Sequence, residues 1–271
     1  MLSELLRQKK FVITCEIDPP QGSDIRVFRQ ELQKIRVDAV CVAERAGGPQ
    51  LSAFGTALIA KSEKREPILG VTYRHRSERA VQADLIAASA LEIHNILCMP
   101  GEGVDAISLL KLIKSLNRGQ TQAGEKLVGR TNLFPGTMLS VHDRNALAVA
   151  RKERLVGAEF FCTDILFEVA PLASLLDNYE KKFGEPLRDI MLPSIFLLST
   201  ADQLATLKSA GVVVPKKIEK RIGAARKQIE EGAAISLELM DAVKALGVGG
   251  INFVFDKNFG LLNRAVDALR Q

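Results

Sequence analysis

The chain has 271 residues, of which 47% are hydrophobic and 25% are charged, and its net charge is +5. This composition is typical of a globular protein with a sizeable core and excludes a disordered or collagen-like chain. No apolar run approaches the roughly 20 residues that a membrane-spanning helix needs, so we expect no membrane span. An aromatic content of 5%, without tryptophan, argues against a nucleic-acid partner because no stacking platform is visible.

The cysteines lie far apart in the sequence and form no CxxC pair and no cluster with histidine; they are Cys15, Cys41, Cys98 and Cys162. This spacing favours neither a zinc site nor a disulfide framework, and it suits a reducing cytoplasm. We therefore predict a cytoplasmic protein without a bound metal. The first ten residues, MLSELLRQKK, lack the apolar core of a signal peptide and are predicted to form a short amphipathic helix.

Apolar, β-rich runs alternate with segments of helical periodicity along the chain. The predicted strands are 11–17, 37–43, 67–73, 93–99, 127–134, 158–167, 190–198 and 250–256. The predicted helices between and after them are 25–35, 51–65, 78–91, 103–117, 143–157, 174–184, 199–211 and 259–271. Strands that alternate with helices indicate a parallel sheet built from βαβ units.

Eight such units match the length of an α/β protein of the (β/α)8 TIM barrel class, which typically has about 250 residues. We predict one domain over residues 1–271, with a helical insertion around 212–247 before the last strand. A doubly wound open sheet is the alternative, but no G-x-G-x-x-G motif follows the first strand. Residues 208–227 hold seven Lys and Arg against one Glu, which indicates a solvated helical face or an anion-attracting rim.

In a barrel of this class the chemistry lies at the carboxyl ends of the strands. Glu16 ends the first predicted strand, just before Pro19 and Pro20, and alternation places it on the face of Val12 and Thr14. The other face is apolar and suits the helix layer, so Glu16 is predicted to point into the barrel mouth. Partial burial there would raise the pKa of the carboxyl and let it act as an acid. The alternative is a strand-end Glu that is hydrogen-bonded to neighbouring backbone.

Other strand ends also carry polar groups or turns. The run TYRHR (72–76) sets three basic-type side chains in one loop, which is typical of diphosphate or carboxylate binding or of solvated loop charges. The turns MPGE (99–102) and LFPG (133–136) are predicted to reach the same rim. Glycine turns of this kind are common and not specific to any function.

Four stretches together resemble the methylenetetrahydrofolate reductase family. CEIDPP (15–20) is similar to the motif that opens the family, and 71–102 is similar to its third-to-fourth strand region. RKERLVGAEFFCTDILFE (151–168) resembles its K-x-x-A-G-A-D-F-x-x-T-Q motif, and 247–258 resembles its closing strand. The four occur in the family's order and extend over nearly the whole chain.

The resemblance implies a barrel that holds FAD at its mouth and transfers hydride from NADH or NADPH through the flavin to a methylenetetrahydrofolate. It implies that Glu16 is the general acid that protonates a bridging nitrogen of the folate. Positions implied for the substrate are Glu102, Thr163 and Asp164, and those for the cofactor are Thr72, Arg74, Arg76, Pro135, Gly136 and Lys152.

The sequence departs from the family's pattern at a few of these positions. Gly70 stands where some members have His, Glu153 is near the place of a flavin-contacting Lys, Asp164 replaces a Gln, and Glu102 replaces an Asp. Two alternatives therefore accompany the reductase. One is a folate-binding subunit that needs an electron-delivering partner, and the other is a folate-linked methyltransferase module. A homo-oligomer is the other partnership that we consider.

Overall fold

The computed structural model describes residues 1–43, 49–100 and 106–271. Within these ranges eight parallel strands close into a barrel in chain order, and the last strand pairs with the first. The strands β1 to β8 are Val12–Ile17, Ala39–Val42, Pro67–Val71, Asn95–Cys98, Phe134–Leu139, Phe160–Leu166, Met191–Phe196 and Gly250–Val254. The prediction of a (β/α)8 barrel is confirmed, and the open sheet is wrong.

The helices form a layer around the barrel. In chain order α1 to α11 are Leu2–Arg7, Arg26–Lys34, Ala53–Ser62, Glu78–Ala90, Ala106–Asn117, Ala146–Val156, Ala170–Phe183, Ala201–Ser209, Lys216–Ala224, Gln228–Lys244 and Phe259–Arg270. One helix follows each of β1 to β6, three lie between β7 and β8, and α11 follows β8. None of the helices in the described ranges is long and apolar enough to cross a membrane.

Alternation along the strands separates two apolar regions. Outward-facing strand residues such as Ile13, Cys15 and Phe253 pack against the helices in the largest cluster of buried side chains. Inward-facing residues such as Val12 and Leu192 form a second cluster inside the barrel. The barrel interior is therefore a packed core in its lower part, which confines any ligand to the upper part.

The amino-terminal helix closes the lower end of the barrel. Leu2 and Leu6 of α1 are buried and belong to the same interior cluster as Phe134 and Phe160. The rings of Phe134 and Phe160 stack with centroids 5.5 Å apart. Large apolar groups thus fill the floor of the barrel at the amino ends of the strands.

The predicted fifth strand, 127–134, is wrong, because β5 is Phe134–Leu139. Residues before it form a loop that contains Gly129 with φ +88° and is tied by the side chain of Asn117. Pro135 and Gly136 consequently lie near the amino end of β5 and are buried, far along the strand from the mouth. A Cβ at Gly136 would lie 2.4 Å from the ring of Phe160. The prediction that the turn at Pro135 and Gly136 reaches the rim is therefore wrong, and their cofactor-binding role stays a prediction.

The helices between β7 and β8 cover one side of the mouth. Ile218 and Ile222 of α9 pack with Phe196, which ends β7, and Val254, which ends β8. Leu204 of α8 joins the same cluster. Fully burying a side chain of this size contributes about 1.5–3 kcal/mol, so this cover is firmly held.

Candidate functional site

The upper inside of the barrel is open on the side of β1 to β6. In these strands the partly exposed positions are inner ones near the carboxyl ends, and they are Glu16, Gly70, Met138, Asp164 and Ile165. Every residue of β7 and β8 is buried. We call this partly exposed inner surface the crater.

The carboxyl of Glu16 lies at the edge of the crater and points inward, as alternation predicts. Its Oε1 accepts a hydrogen bond from Nδ2 of Asn252 at 3.1 Å. The same Nδ2 donates to Oγ of Ser194 at 3.1 Å, and Oδ1 of Asn252 accepts from Oγ1 of Thr14 at 2.8 Å. A flipped amide would turn its oxygen toward the carboxyl and its N–H groups toward Thr14, so these contacts fix the amide orientation.

The strand register creates this network. Asn252 of β8 pairs with Thr14 of β1 on one side and with Ser194 of β7 on the other. Three buried polar side chains thus meet at one level above the apolar floor, where each needs a partner. Glu16 lies two residues further along β1 on the same face, so it is the next group above this level.

A crevice of about 420 Å³ borders Glu16 on the side of α2. Its apolar wall comes from Phe28 and Leu32 of α2 and from Phe255 and Phe259 near β8. The volume is within the range of about 300–1,000 Å³ that small-molecule sites occupy. Glu16 therefore borders a space of ligand size.

The turn after β3 is compact and basic. Oγ1 of Thr72 accepts the N–H of Arg74 at 3.2 Å, and His75 has φ +55°. Arg76 is paired with Asp84 of α4 at 2.5 Å, and both side chains are partly buried. The turn thus presents Thr72 and Arg74 at the rim, while Arg76 is neutralised by its partner.

The inner wall next to this turn is flat. A Cβ at Gly70 would lie 2.7 Å from the Cβ of Ala43 and 3.1 Å from Sδ of Met99. The three residues are partly exposed, so no large side chain projects over the wall at this point. A planar ring fits against such a surface, and the cations of the adjoining turn suit a diphosphate. These residues could hold a flavin nucleotide.

Asp164 lies at the rim and binds the loop after β5. Its Oδ2 accepts from Oγ of Ser140 at 2.7 Å, and its Oδ1 accepts the N–H of Val141 at 3.3 Å. Thr163 is completely buried, and its Oγ1 accepts the N–H of Ser194 at 3.0 Å where β6 has a bulge. The structure therefore gives Thr163 a contact between strands, and the predicted substrate contact of this residue stays a prediction.

The remaining predicted residues have different surroundings. Lys152 is an exposed residue of α6, and its predicted flavin contact stays a prediction. Its neighbour Glu153 is buried, and Oε2 of Glu153 accepts a 2.8 Å hydrogen bond from Thr137 of β5. Glu102 lies outside the described residues. The described part of the chain contains no group of three or more His, Cys, Asp or Glu that could hold a metal ion.

The fold and site together define a (β/α)8 barrel with a carboxyl, a basic turn and a flat wall at the carboxyl ends of its strands. The chain belongs to the methylenetetrahydrofolate reductase family, because that family's sequence pattern matches residues 1–258. This confirms the resemblance found in the sequence. No curated protein matches the chain.

One solved structure similar to this chain is that of an uncharacterised protein from Clostridium thermocellum. It has a TM-score of 0.73 and 14% sequence identity, and the match covers 98% of this chain and 95% of that one. That protein binds two copies of 5-methyl-5,6,7,8-tetrahydrofolic acid. At this identity the likeness shows a shared fold.

The sequence did not predict the contribution of Asn252 and Ser194. A signal was present, because each is a single polar residue in the middle of an otherwise apolar strand, GINFV and MLPSIF. Buried polar groups of this kind need partners, and the closing pair of strands in a barrel supplies them. The two residues lie together only through the β7–β8 register.

Proposed function

We propose that this chain is a methylenetetrahydrofolate reductase in which Glu16 is the general acid. The observation that carries the proposal is the inward carboxyl of Glu16, held through Oε1 by Asn252 at the edge of the crater. The family supports a folate substrate, and so does the tetrahydrofolate bound by the Clostridium thermocellum protein.

In the proposed mechanism Glu16 opens the five-membered ring of methylenetetrahydrofolate. A ring C–N bond breaks, its electron pair stays on nitrogen, and that nitrogen takes the proton from Glu16. The methylene carbon is left as an electrophilic iminium that accepts a hydride to become a methyl group. Because Oε1 accepts the N–H of Asn252, the acid carries its proton on Oε2. General acid catalysis contributes about 100- to 10,000-fold.

Bound FAD would supply the hydride carrier between NADH or NADPH and the methylene carbon. The residues that would hold it are Thr72 and Arg74 of the basic turn, Arg76 beside them, and the wall formed by Ala43, Gly70 and Met99. Asp164 would contact the folate from the opposite part of the rim, as an acceptor of hydrogen bonds.

A visible spectrum and a steady-state assay test the proposal. We expect the purified protein to show the absorption of oxidised flavin, or to gain it with added FAD. Oxidation of NADH or NADPH should then depend on methylenetetrahydrofolate. A flavin-loaded protein that shows no folate-dependent oxidation with either nucleotide would contradict the reductase.

The second candidate is a folate-binding subunit that receives electrons from a partner. Two observations favour it: Arg76 is neutralised by Asp84, and the buried carboxyl of Glu153 stands near the place of a flavin-contacting Lys. A colourless protein that takes up no FAD but binds 5-methyltetrahydrofolate would select this candidate over the first.

A further inference from the structure

The carboxylate of Asp164 lies at a partly exposed inner position of β6 and keeps part of its hydrogen-bonding capacity free. Its Oδ2 accepts from Oγ of Ser140, and its Oδ1 accepts the N–H of Val141. A carboxylate has about four lone-pair sites, two on each oxygen, so one site on each oxygen of Asp164 remains. No cation of the described residues forms an ion pair with this carboxylate.

The two donors to Asp164 come from the start of the loop after β5, which is anchored to the core. The side chain of Val141 is buried and belongs to the largest apolar cluster. The carbonyl of Ser140 accepts the N–H of Asp143 at 3.3 Å, and the carbonyl of Asp143 accepts the N–H of Ala146 at the start of α6. Because the backbone of both donors is held, a carboxylate that is bound through both oxygens has a fixed orientation.

Asp164 and Glu16 face the same cavity from different strands, since β6 is separated from β1 by β7 and β8 in the closed barrel. Burial raises the pKa of the inward thiol of Cys162, and the charge of Glu16 raises it further. Cys162 lies two residues before Asp164 in β6. The charge of Glu16 therefore acts across the interior on the strand that holds Asp164.

The free lone pairs determine the kind of group that Asp164 can bind. An ionised carboxylate only accepts hydrogen bonds, whereas the Gln of the family's pattern offers one acceptor and a donor group. The reduced pterin of a folate has two N–H donors side by side on its pyrimidine ring, the 2-amino group and N3–H. They lie on the other ring of the bicyclic system from N5, which is part of the five-membered ring that Glu16 opens in the proposed mechanism.

We propose that Asp164 accepts these two N–H groups, one on each oxygen, and that Ser140 is the positioning residue that holds its carboxylate. The inference rests on the proposed function, since it requires a folate in the crater. The group that the chain recognises is then the donor edge of a 2-amino-4-oxopyrimidine ring. Hydrogen bonds to an ionised group are stronger than neutral ones, and a ligand without these donors leaves the carboxylate unpaired.

The first test is the dissociation constant of 5-methyltetrahydrofolate, measured by calorimetry. Ser140→Ala should weaken binding about 3- to 10-fold, and Ser140→Thr, which keeps a hydroxyl group, should restore most of the loss. Asp164→Asn should weaken binding about 10-fold or more, because its amide sets a donor against a donor of the pyrimidine ring. In steady-state assays Ser140→Ala should raise the KM for methylenetetrahydrofolate by the same factor as the dissociation constant, while kcat changes much less.

A double-variant cycle separates positioning from a direct contact of Ser140 with the ligand. If Ser140 acts through the carboxylate, Ser140→Ala should have little further effect in a protein that already carries Asp164→Ala. An equal loss of affinity in both backgrounds would overturn the positioning role.

A change in the ligand tests the donor edge itself. An analogue of 5-methyltetrahydrofolate with a methyl group in place of the 2-amino group should bind the wild type about 10-fold or more weakly, and Asp164→Asn should reduce this difference. Equal affinities of the wild type for the two ligands would overturn the inference and leave the proposed function intact. Failure of 5-methyltetrahydrofolate to bind at all would overturn both.

The matched control is Ser62→Ala at the end of α3. Its exposed hydroxyl also donates a 2.7 Å hydrogen bond, to the carbonyl of Ile59, but it lies just before β3, at the amino end of the barrel. This variant should keep the wild-type affinity and KM, and an equal loss in it would contradict a specific role of Ser140. Both serines are exposed, so neither alanine variant should change the melting temperature.

Discussion

The two sides of the barrel mouth are built differently. In β1, β3, β5 and β6 inner positions near the strand ends are partly exposed, whereas those of β7 and β8 are buried beneath α8, α9 and α10. Glu16 lies where the sides meet, with its carboxyl in the crater and its hydrogen-bond partner Asn252 on the covered side. The open side thus gives a ligand access to the carboxyl of Glu16, and the covered side holds that carboxyl in place.

Removing the acidic proton of Glu16, on the open side of the barrel mouth, should have the largest effect on the rate of folate reduction. Glu16→Gln keeps the size of the side chain but has no acidic proton, so folate reduction should fall by about 100- to 10,000-fold. The measurement is the rate of folate-dependent oxidation of NADH or NADPH. Binding of 5-methyltetrahydrofolate and the reduction of added flavin by NADH or NADPH should be largely unchanged. Equal loss of both half-reactions would rule out the role of Glu16 as the acid.

Removing the amide of Asn252, which holds Glu16 from the covered side of the mouth, should have the next largest effect. Asn252→Leu deletes the donor to Glu16 and leaves Thr14 and Ser194 without their amide partner. Misplacement of the acid should lower the rate by up to about 100-fold. The free energy of unfolding should fall by about 1–3 kcal/mol. Rate assays and urea denaturation measure the two effects.

The control for this variant breaks another bond of the same amide. Ser194→Ala removes the second acceptor of Nδ2 of Asn252 but leaves the contact with Glu16. We expect a loss of stability of about 1 kcal/mol and a rate close to that of the wild type. If Ser194→Ala were as slow as Asn252→Leu, the amide would support the barrel in general rather than position Glu16.

A change at the floor should affect stability and leave the mouth unaltered. In Gly136→Ala the added methyl would lie 2.4 Å from the ring of Phe160, so overpacking should cost about 1–3 kcal/mol of the free energy of unfolding. The rate per folded molecule should stay at the wild-type value. Gly223→Ala in α9 is the matched control, since its Cβ meets nothing within 4 Å and helix propensity should add about 0.5–1 kcal/mol.

The smallest expected effect is that of thiol reagents on the folded protein. Burial raises the pKa of the thiols of Cys15, Cys98 and Cys162, so their reactive thiolates are scarce at pH 8. Mass spectrometry after treatment with iodoacetamide should show these three cysteines unmodified until denaturant is added. Modification of the native protein at any of them would show that the barrel opens locally.

Most of the fold could be predicted because buried parallel strands are continuous apolar runs that differ clearly from amphipathic helices. Seven of the eight predicted strands contain the observed ones, and the fifth shares only Phe134 with β5. The fifth failed because Pro135 and Gly136 are typical of a turn, yet they lie inside β5. Gly136 is there to make room for the ring of Phe160, which is a contact between strands and leaves no local pattern in the sequence.

The site could be predicted only where one strand determines it. The inward direction of Glu16 follows from alternation along β1 alone, and the structure shows it. The contribution of Asn252 depends on two register relations, with Thr14 across the closure of the barrel and with Ser194 on the preceding strand. Sequence spacing carries no information on the register between two strands. The contact of Thr163 with β7 was missed for the same reason.

The bulge in β6 interrupts the regular alternation of inward-facing and outward-facing residues along the strand. Before it, Phe160 and Cys162 face the interior, and after it Ile165 does, so inward positions change from even to odd residue numbers. Two residues of β6, Thr163 and Asp164, lie opposite one residue of β7 here, so deleting one of them would restore the regular ladder and leave Ile165 paired with Ser194 on its present face. The strand can therefore lose one residue at this point of the crater wall without turning over the residues that follow it.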